Sequence, residues 1–388
     1  MSFRDSGHAL SRHGRSERGS GGAGHVPLVV STRGGTIENI HYGSIAVVDA
    51  QGRLLHAAGD PQFMTFTRSA LKAFQALPFV MDDGPRALGL STEQVALLTA
   101  SHSGEDFHVA AVQDLLARAK AQPEQLQCGC HVPYVYETLG RTPEPGLRFD
   151  TRHHNCSGKH SGFMAYCQLH GLSQSDYLEQ GHPLQMRIRT QIADLLRMAP
   201  EQLAVGTDGC SAPNLALPLA GLARLWAMLA AGDTGSPARV AGSGSGRASV
   251  AGSGAQASGS DGLERRAEIE QAFGQMFAAM TAHPEYVSGT GRTDLHLTQA
   301  GAGDWVAKAG ADGVQTLAIR SLGLGIAIKV SDGHADARHV AIVEVLRQLG
   351  LPGAEHESLL PWRSQPIRNI AGLQVGDRHP VFELQRVS

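Results

Sequence analysis

The chain has 388 residues, enough for one large or two medium domains. Lys and Arg number 33 against 36 Asp and Glu, a net charge of -3, which excludes the electrostatic footprint of a nucleic-acid or anionic-membrane binder. Five cysteines, an odd and small number for this length, argue against a disulfide framework and for a cytoplasmic setting.

Residues 1–25 are rich in Gly, Ser, Arg and His and read as a disordered tail. They lack the apolar core of a secretory signal. A strand is predicted at 27–30, then a strand, turn and strand over 43–56 with the reversal at 49–52. Residues 67–77 are amphipathic and free of Gly and Pro until Pro78, which predicts a helix. Helical patterns follow at 93–99, 110–121, 183–198 and 219–231. The stretch 212–231 is the most apolar in the chain. Pro213, Asn214, Pro218 and Arg224 within it predict a loop and a helix, not a membrane span. Residues 232–262 are rich in Gly, Ser and Ala and read as a flexible surface insertion. Helix resumes over 263–282, so the insertion links two helices expected to pack together. Two β-type runs, 305–319 and 323–330, predict adjacent antiparallel strands, and 336–349 predicts a helix. Strands at both ends around central helices predict an α+β (mixed α/β) fold, an antiparallel sheet built from both chain ends with helices packed on it.

The chemistry concentrates in four places. Ser69 and Lys72 lie three apart and are neighbours on a helix. A lysine serves as base for a serine only as the neutral amine, so its pKa must fall from about 10.4. Burial and the positive end of a helix both act that way. Serine-lysine pairs are an attested variant of the serine triad, although any single Ser-x-x-Lys also fits a solvated helix face. Next, Thr99-Ala-Ser101-His-Ser-Gly-Glu gathers small hydroxyls and amides at one turn. Then Lys308-Ala-Gly310 ends a β-type run; its amine can enter a cleft and its glycine lets a ligand approach the backbone. The order Ser-x-x-Lys, Ser, Lys-x-Gly recurs in penicillin-binding proteins and serine β-lactamases, but the gap from Ser69 to Ser101 is short for those enzymes.

The densest motif runs from His153 to Gly162 and contains Cys156 and Lys159, which share one side of a helical turn. A further cysteine, Cys210, lies in a Gly-Thr-Asp-Gly-Cys segment. Thiolates and histidines suit zinc. Without a Cys-x-x-Cys pair, buried cysteines acting as small apolar residues explain the pattern as well. Cys128-Gly-Cys130-His131 is a lesser metal candidate.

Together FTRSALK, ASHSGE, HNCSGKHSGF, GTDGCSAP, SGTGRTD and KAGADGV resemble the rhizobial-type L-asparaginase II family. The resemblance covers most of 26–388 as one asparaginase domain. It implies a fold similar to serine β-lactamases and glutaminases, and an amidohydrolase converting L-asparagine to L-aspartate and ammonia. It implies two catalytic tandems, Ser69 with Lys72 and Ser101 with Lys308, and a zinc ion held by Cys156, Lys159 and Cys210. Asp208 would hold the substrate ammonium and Arg292 would clamp its carboxylate, with Arg68 and Asn155 as further substrate-binding residues. Backbone amides near the start of the Ser69 helix are candidate oxyanion donors. Which serine is attacked first stays open. A homodimer is expected, with no nucleic-acid or membrane partner. The alternatives are a glutaminase or β-lactam-recognising hydrolase of the same fold, and a non-catalytic zinc-dependent binding protein.

Overall fold

The structure, a computed structural model, describes residues 24–233 and 259–387. Most of the expected tail and of the expected insertion therefore lies outside the described residues. The helix expected from 263 begins earlier, as Gly259–Ala282.

Twelve strands are described: β1 (Val26–Arg33), β2 (Thr36–Asp49), β3 (Leu54–Ala58), β4 (Met64–Phe66), β5 (Ala204–Thr207), β6 (Pro213–Pro218), β7 (Trp305–Gly310), β8 (Val314–Ile319), β9 (Leu324–Val330), β10 (Gln365–Arg368), β11 (Gln374–Pro380) and β12 (Gln385–Arg386). The main sheet is antiparallel in the order β10-β11-β1-β2-β9-β8-β7, with β3 on β2 and β12 on β3. A small second sheet runs β4-β6-β5. The main sheet is built from both chain ends, as the pattern of the chain predicts. Two details differ. The run 305–319 breaks into β7 and β8, because Asp312 and Gly313 adopt left-handed conformations at φ 56° and 76° and reverse the chain. Residues 213–218 form β6 instead of a loop, pairing with β4 and β5.

The strands read as continuous apolar runs because both faces of the sheet are covered. On β2, Ile45 and Val47 enter one core while Ala46 and Val48 enter the other. Helix Ala335–Gln348 covers the first face and helix Leu219–Ala230 crosses the second. Residues on the second face are small, so this helix lies flush. A Cβ on Gly325 would stand 1.9 Å from the Ala223 carbonyl oxygen. Alternation fixes the direction of one functional residue. Trp305 and Ala307 of β7 belong to the first core and Val306 to the second, so Lys308 points toward the helical layer.

In that layer, helix Lys72–Met81 is buried along nearly its whole length. Pro78 does not end it; the helix accepts the missing donor and runs on to Met81. A 3-10 turn, Arg68–Leu71, leads into it. Trp226 donates from Nε1 to the Ala70 carbonyl at 3.1 Å and meets the Phe74 ring edge-on, tying turn, helix and sheet cover together. Helix Ser157–His170 approaches helix Thr92–Leu98 through Gly158, whose Cβ would meet the Leu97 carbonyl at 2.4 Å. Gly325→Ala forces the strand off the crossing helix. It is expected to lower stability by about 1–3 kcal/mol, seen as a lower urea midpoint at unchanged slope; an unchanged midpoint would contradict this packing.

Candidate active site

Ser69 lies in the 3-10 turn, not in the α-helix the pattern predicts. In either helix type, residues three apart stay close. The turn is held from two sides. Thr67 N and Oγ1 donate to the Leu215 carbonyl at 3.0 and 2.9 Å, and Arg68 N donates to Asn214 Oδ1 at 3.1 Å. On the other side Gly310 of β7 presses against it; a Cβ there would stand 2.9 Å from the Thr67 carbonyl oxygen. Arg68 itself sits at φ 49°, in the left-handed region, directly before the serine. Such backbone strain concentrates at functional sites. Two amides of the turn are already engaged, Arg68 N with Asn214 and Ala70 N with the Thr67 carbonyl at 3.1 Å, so neither serves as an oxyanion donor.

Lys72 is fully buried, and its amine does not hydrogen-bond Ser69. It donates to the Ala100 carbonyl at 2.6 Å and reaches Ser101 Oγ at 3.0 Å. Lys308, buried as well, reaches the same Ser101 Oγ at 2.8 Å and donates to the Ala309 carbonyl at 3.0 Å. Both lysines of the expected tandems thus converge on one hydroxyl. Ser69 is only partly buried, and its hydroxyl has no hydrogen-bond partner among the described residues. Burial, assisted by the charges of Lys72 and Arg292, pulls Lys308 down to about 7, while Asp294 and Cys156 resist.

The loop carrying Ser101 is knotted into its surroundings. Ser101 N donates to the Val287 carbonyl at 2.9 Å, His102 N to the Asn155 carbonyl at 3.2 Å, and Ser103 Oγ to the Ser288 carbonyl at 3.0 Å. His102 is buried and neutral, its pKa held well below the usual histidine range by burial first. Its Nδ1 accepts from Gly104 N, which leaves Nε2–H to donate to Ser157 Oγ at 2.8 Å. Ser157 in turn donates to the Arg152 carbonyl. This histidine is a brace, not a base for either catalytic candidate.

Cys156, Lys159 and Cys210 come together in the interior. The Lys159 amine lies 3.2 Å from Cys210 Sγ. The Cys156 thiol is held well below its ordinary pKa, first by a hydrogen bond from Cys210 and then by Lys72 and Lys159, while Cys210 is raised by the same bond. The two thiols are thus driven in opposite directions beside the Lys72 and Lys159 amines. Among the described residues no group of three His, Cys, Asp or Glu is arranged to hold a metal, so any such site takes its third donor from Lys159. Two thiols and an amine gathered here fit a zinc ion, which would displace their protons on binding. The lesser candidate does not assemble: Cys128 is buried with its thiol pushed up to about 12 by burial, while Cys130 is exposed.

The substrate-binding candidates ring these groups. Arg68 donates from Nε to Asp208 Oδ1 at 2.8 Å and also pairs with Asp312. Burial opposes ionisation of Asp208, but Lys159 and Arg68 outweigh it and keep the carboxylate charged. Asn155 N donates to His131 Nε2 at 3.1 Å, and Cys156 Sγ faces the Asn155 side-chain oxygen at 3.6 Å. The Arg292 guanidinium lies 5.1 Å from the ring centre of Tyr134, which stacks on His131. No carboxylate among the described residues lies within ion-pair distance of Arg292, so it is available to an incoming one. A cavity of about 470 Å³ opens beside Arg68, lined also by Phe66, Thr207, Asn214, Asp312 and Lys329.

Sequence reasoning missed three residues. Asn214, which orients the Ser69 turn, follows Pro213 in a stretch read as a loop. Tyr134 carried no signal. Asp294 ends the Ser-Gly-Thr-Gly-Arg-Thr-Asp motif already singled out, and could have been found there. It lies 4.0 Å from the Lys308 amine.

A family model described as L-asparaginase II matches residues 29–380, and no curated protein matches the chain. Among the described residues no helix is long and apolar enough to cross a membrane. The family match runs from β1 to β11, across the sheet and the helical layer that carry Ser69, Ser101 and both lysines, and the chain belongs to the L-asparaginase II family, as an amidohydrolase of L-asparagine.

Proposed function

We propose that Ser69 attacks the side-chain amide of L-asparagine and that Ser101 is a proton bridge between two lysines. The observation carrying this reading is the convergence of both amines on Ser101 Oγ, at 3.0 and 2.8 Å. Ser101 is enclosed and its oxygen is engaged, whereas Ser69 is partly open and follows Arg68, which lines the cavity. With Lys308 neutral, a proton passes from Lys72 through Ser101 to Lys308. Lys72, turning from Ser101 toward Ser69 three residues before it, then takes the Ser69 proton as the Oγ–C bond forms. The proton returns through Ser101 to the nitrogen as the C–N bond breaks and ammonia leaves. Water then attacks the β-aspartyl carbon, giving a proton to the same amines, which return it to Ser69 Oγ as the C–Oγ bond breaks. Arg292 is assigned the substrate carboxylate by bidentate pairing. Asp208 is assigned the substrate ammonium through the oxygen not bound to Arg68. Asn155 completes the rim.

Cys156, Lys159 and Cys210 would hold zinc, which would supply a fixed positive charge beside Asp208. The five unpaired thiols support a reducing, cytoplasmic setting, and the family resemblance implies a homodimer.

Purified protein is expected to release ammonia from L-asparagine much faster than from L-glutamine. The rate should fall about tenfold per pH unit below about 7, because Lys308 is then protonated and cannot receive the proton. Faster release from glutamine would favour the glutaminase alternative, and a flat profile from pH 5 to 8 would remove Lys308 from the chemistry. Ser69→Ala is expected to cost at least about a thousandfold in kcat. Mapping the acyl-enzyme trapped from a slow amide substrate should find the adduct on Ser69; an adduct on Ser101 would reverse the two roles. About one zinc per chain is expected by metal analysis, absent in Cys210→Ser, with Tm falling on chelation. Sedimentation of the same sample reads the dimer. Metal-free protein from zinc-supplemented growth, with Tm insensitive to chelator, would end the zinc assignment.

A further inference from the structure

The carboxylate of Asp294 has no part in the roles assigned above. It stands near the start of helix Thr293–Ala300 and is almost fully buried. Its Oδ2 accepts from Ala309 N at 2.7 Å and lies 4.0 Å from the Lys308 amine. Its Oδ1 accepts from Gln315 Nε2 at 3.1 Å. Ala309 and Gln315 face each other across β7 and β8, and Thr316 Oγ1 donates to the Lys308 carbonyl at 2.9 Å. Asp294 therefore grips the peptide that follows Lys308, and the lysine amine turns back onto the next peptide at the Ala309 carbonyl. A neutral amide could complete these backbone contacts. Burying a charge instead costs several kcal/mol unless an opposite charge meets it, and of the two cations that act on this carboxylate, Lys308 and Arg338, the Lys308 amine acts more strongly.

We propose that Asp294 is a positioning residue of the reaction, holding the Lys308 amine against Ser101 and keeping it able both to take up and to return a proton near neutral pH. The inference rests on the proton-bridge reading. The groups facing Lys308 support it. Burial, Lys72 and Arg292 drive the proton off, while Asp294 is the largest influence holding it on and Cys156 acts in the same sense. Arg338, from helix Ala335–Gln348, faces the same carboxylate and donates to the Gly310 carbonyl at 3.1 Å. Without Asp294 the amine would stay neutral to lower pH, and the proton owed to the departing ammonia would lack a carrier.

Asp294→Asn tests this. The new amide can still accept from Ala309 N and can donate to Gln315 Oε1, which has no partner at present. The acid limb of the kcat profile is expected to move down by about 1 pH unit or more. At pH 8 kcat should fall about tenfold with KM and Tm nearly unchanged. Asp294→Glu, which keeps the charge, should return the limb close to its original place. Arg338→Met, which removes the cation facing the carboxylate, should move the limb the other way and serves if the Asn variant does not fold. An unmoved limb in folded Asp294→Asn, or a downward shift in Arg338→Met, overturns the proposal. Failure of the underlying reading is separate: it would appear as wild-type kcat in Lys308→Met.

Discussion

Two lysine amines within 3.0 Å of one buried hydroxyl stand at most about 6 Å apart. At an effective dielectric of about 20, two positive charges at that distance repel by about 3 kcal/mol. That is about two pH units on the proton affinity of one of them. One amine must yield, and the structure determines which. Lys308 is the one drawn down to about 7. The rest of the site follows from this crowding: a neutral amine is available near pH 7 without help from an added base, and the hydroxyl between the amines becomes a route between them.

Holding two amines this close demands rigid surroundings. The Ala100 and Ala309 carbonyls each accept from one amine. The turn before Lys72 is clamped between β6 and Gly310 of β7. Alternation along β7 turns Lys308 toward the helices while Trp305 and Ala307 serve the opposite core. The sulfur pair lies next to this system, since Lys72 also helps hold the Cys156 thiol below its ordinary pKa. The two systems touch through this lysine and form one electrostatic unit.

Much of this was legible in the residues. The α+β class, the sheet drawn from both chain ends and the adjacent strands after 305 follow from apolar runs and turn residues. The motifs that meet at the site were visible as unusual local groupings. What pattern could not supply was partnership. Ser69 and Lys72 are three apart, and spacing suggests they bind each other. A long side chain at the start of a helix leans back toward the N-terminus, and here the 99–104 loop, pinned by Val287 and Asn155, brings Ser101 to it first. That packing has no local signature. Asp294 illustrates the same limit: its value comes from β7 and β8, which its own segment does not reveal. The hairpin at Asp312 was legible too: Asp312-Gly313 between two apolar runs is a strong hairpin signal, which the run 305–319 contains.

The clamp on the Ser69 turn has a consequence for how the molecule comes into being. Its inner jaw is Gly310 of β7, and the amine that completes the proton route is 207 positions beyond Ser101. During synthesis, the half of the chain carrying Ser69, Lys72 and Ser101 leaves the ribosome long before its partners do. Contacts of such wide separation form late, since loop closure precedes any reward from them. The nascent chain thus holds its serines and first lysine without the strand that would tune them, and competence for chemistry arrives only when β7, β8 and β9 close the sheet onto β2.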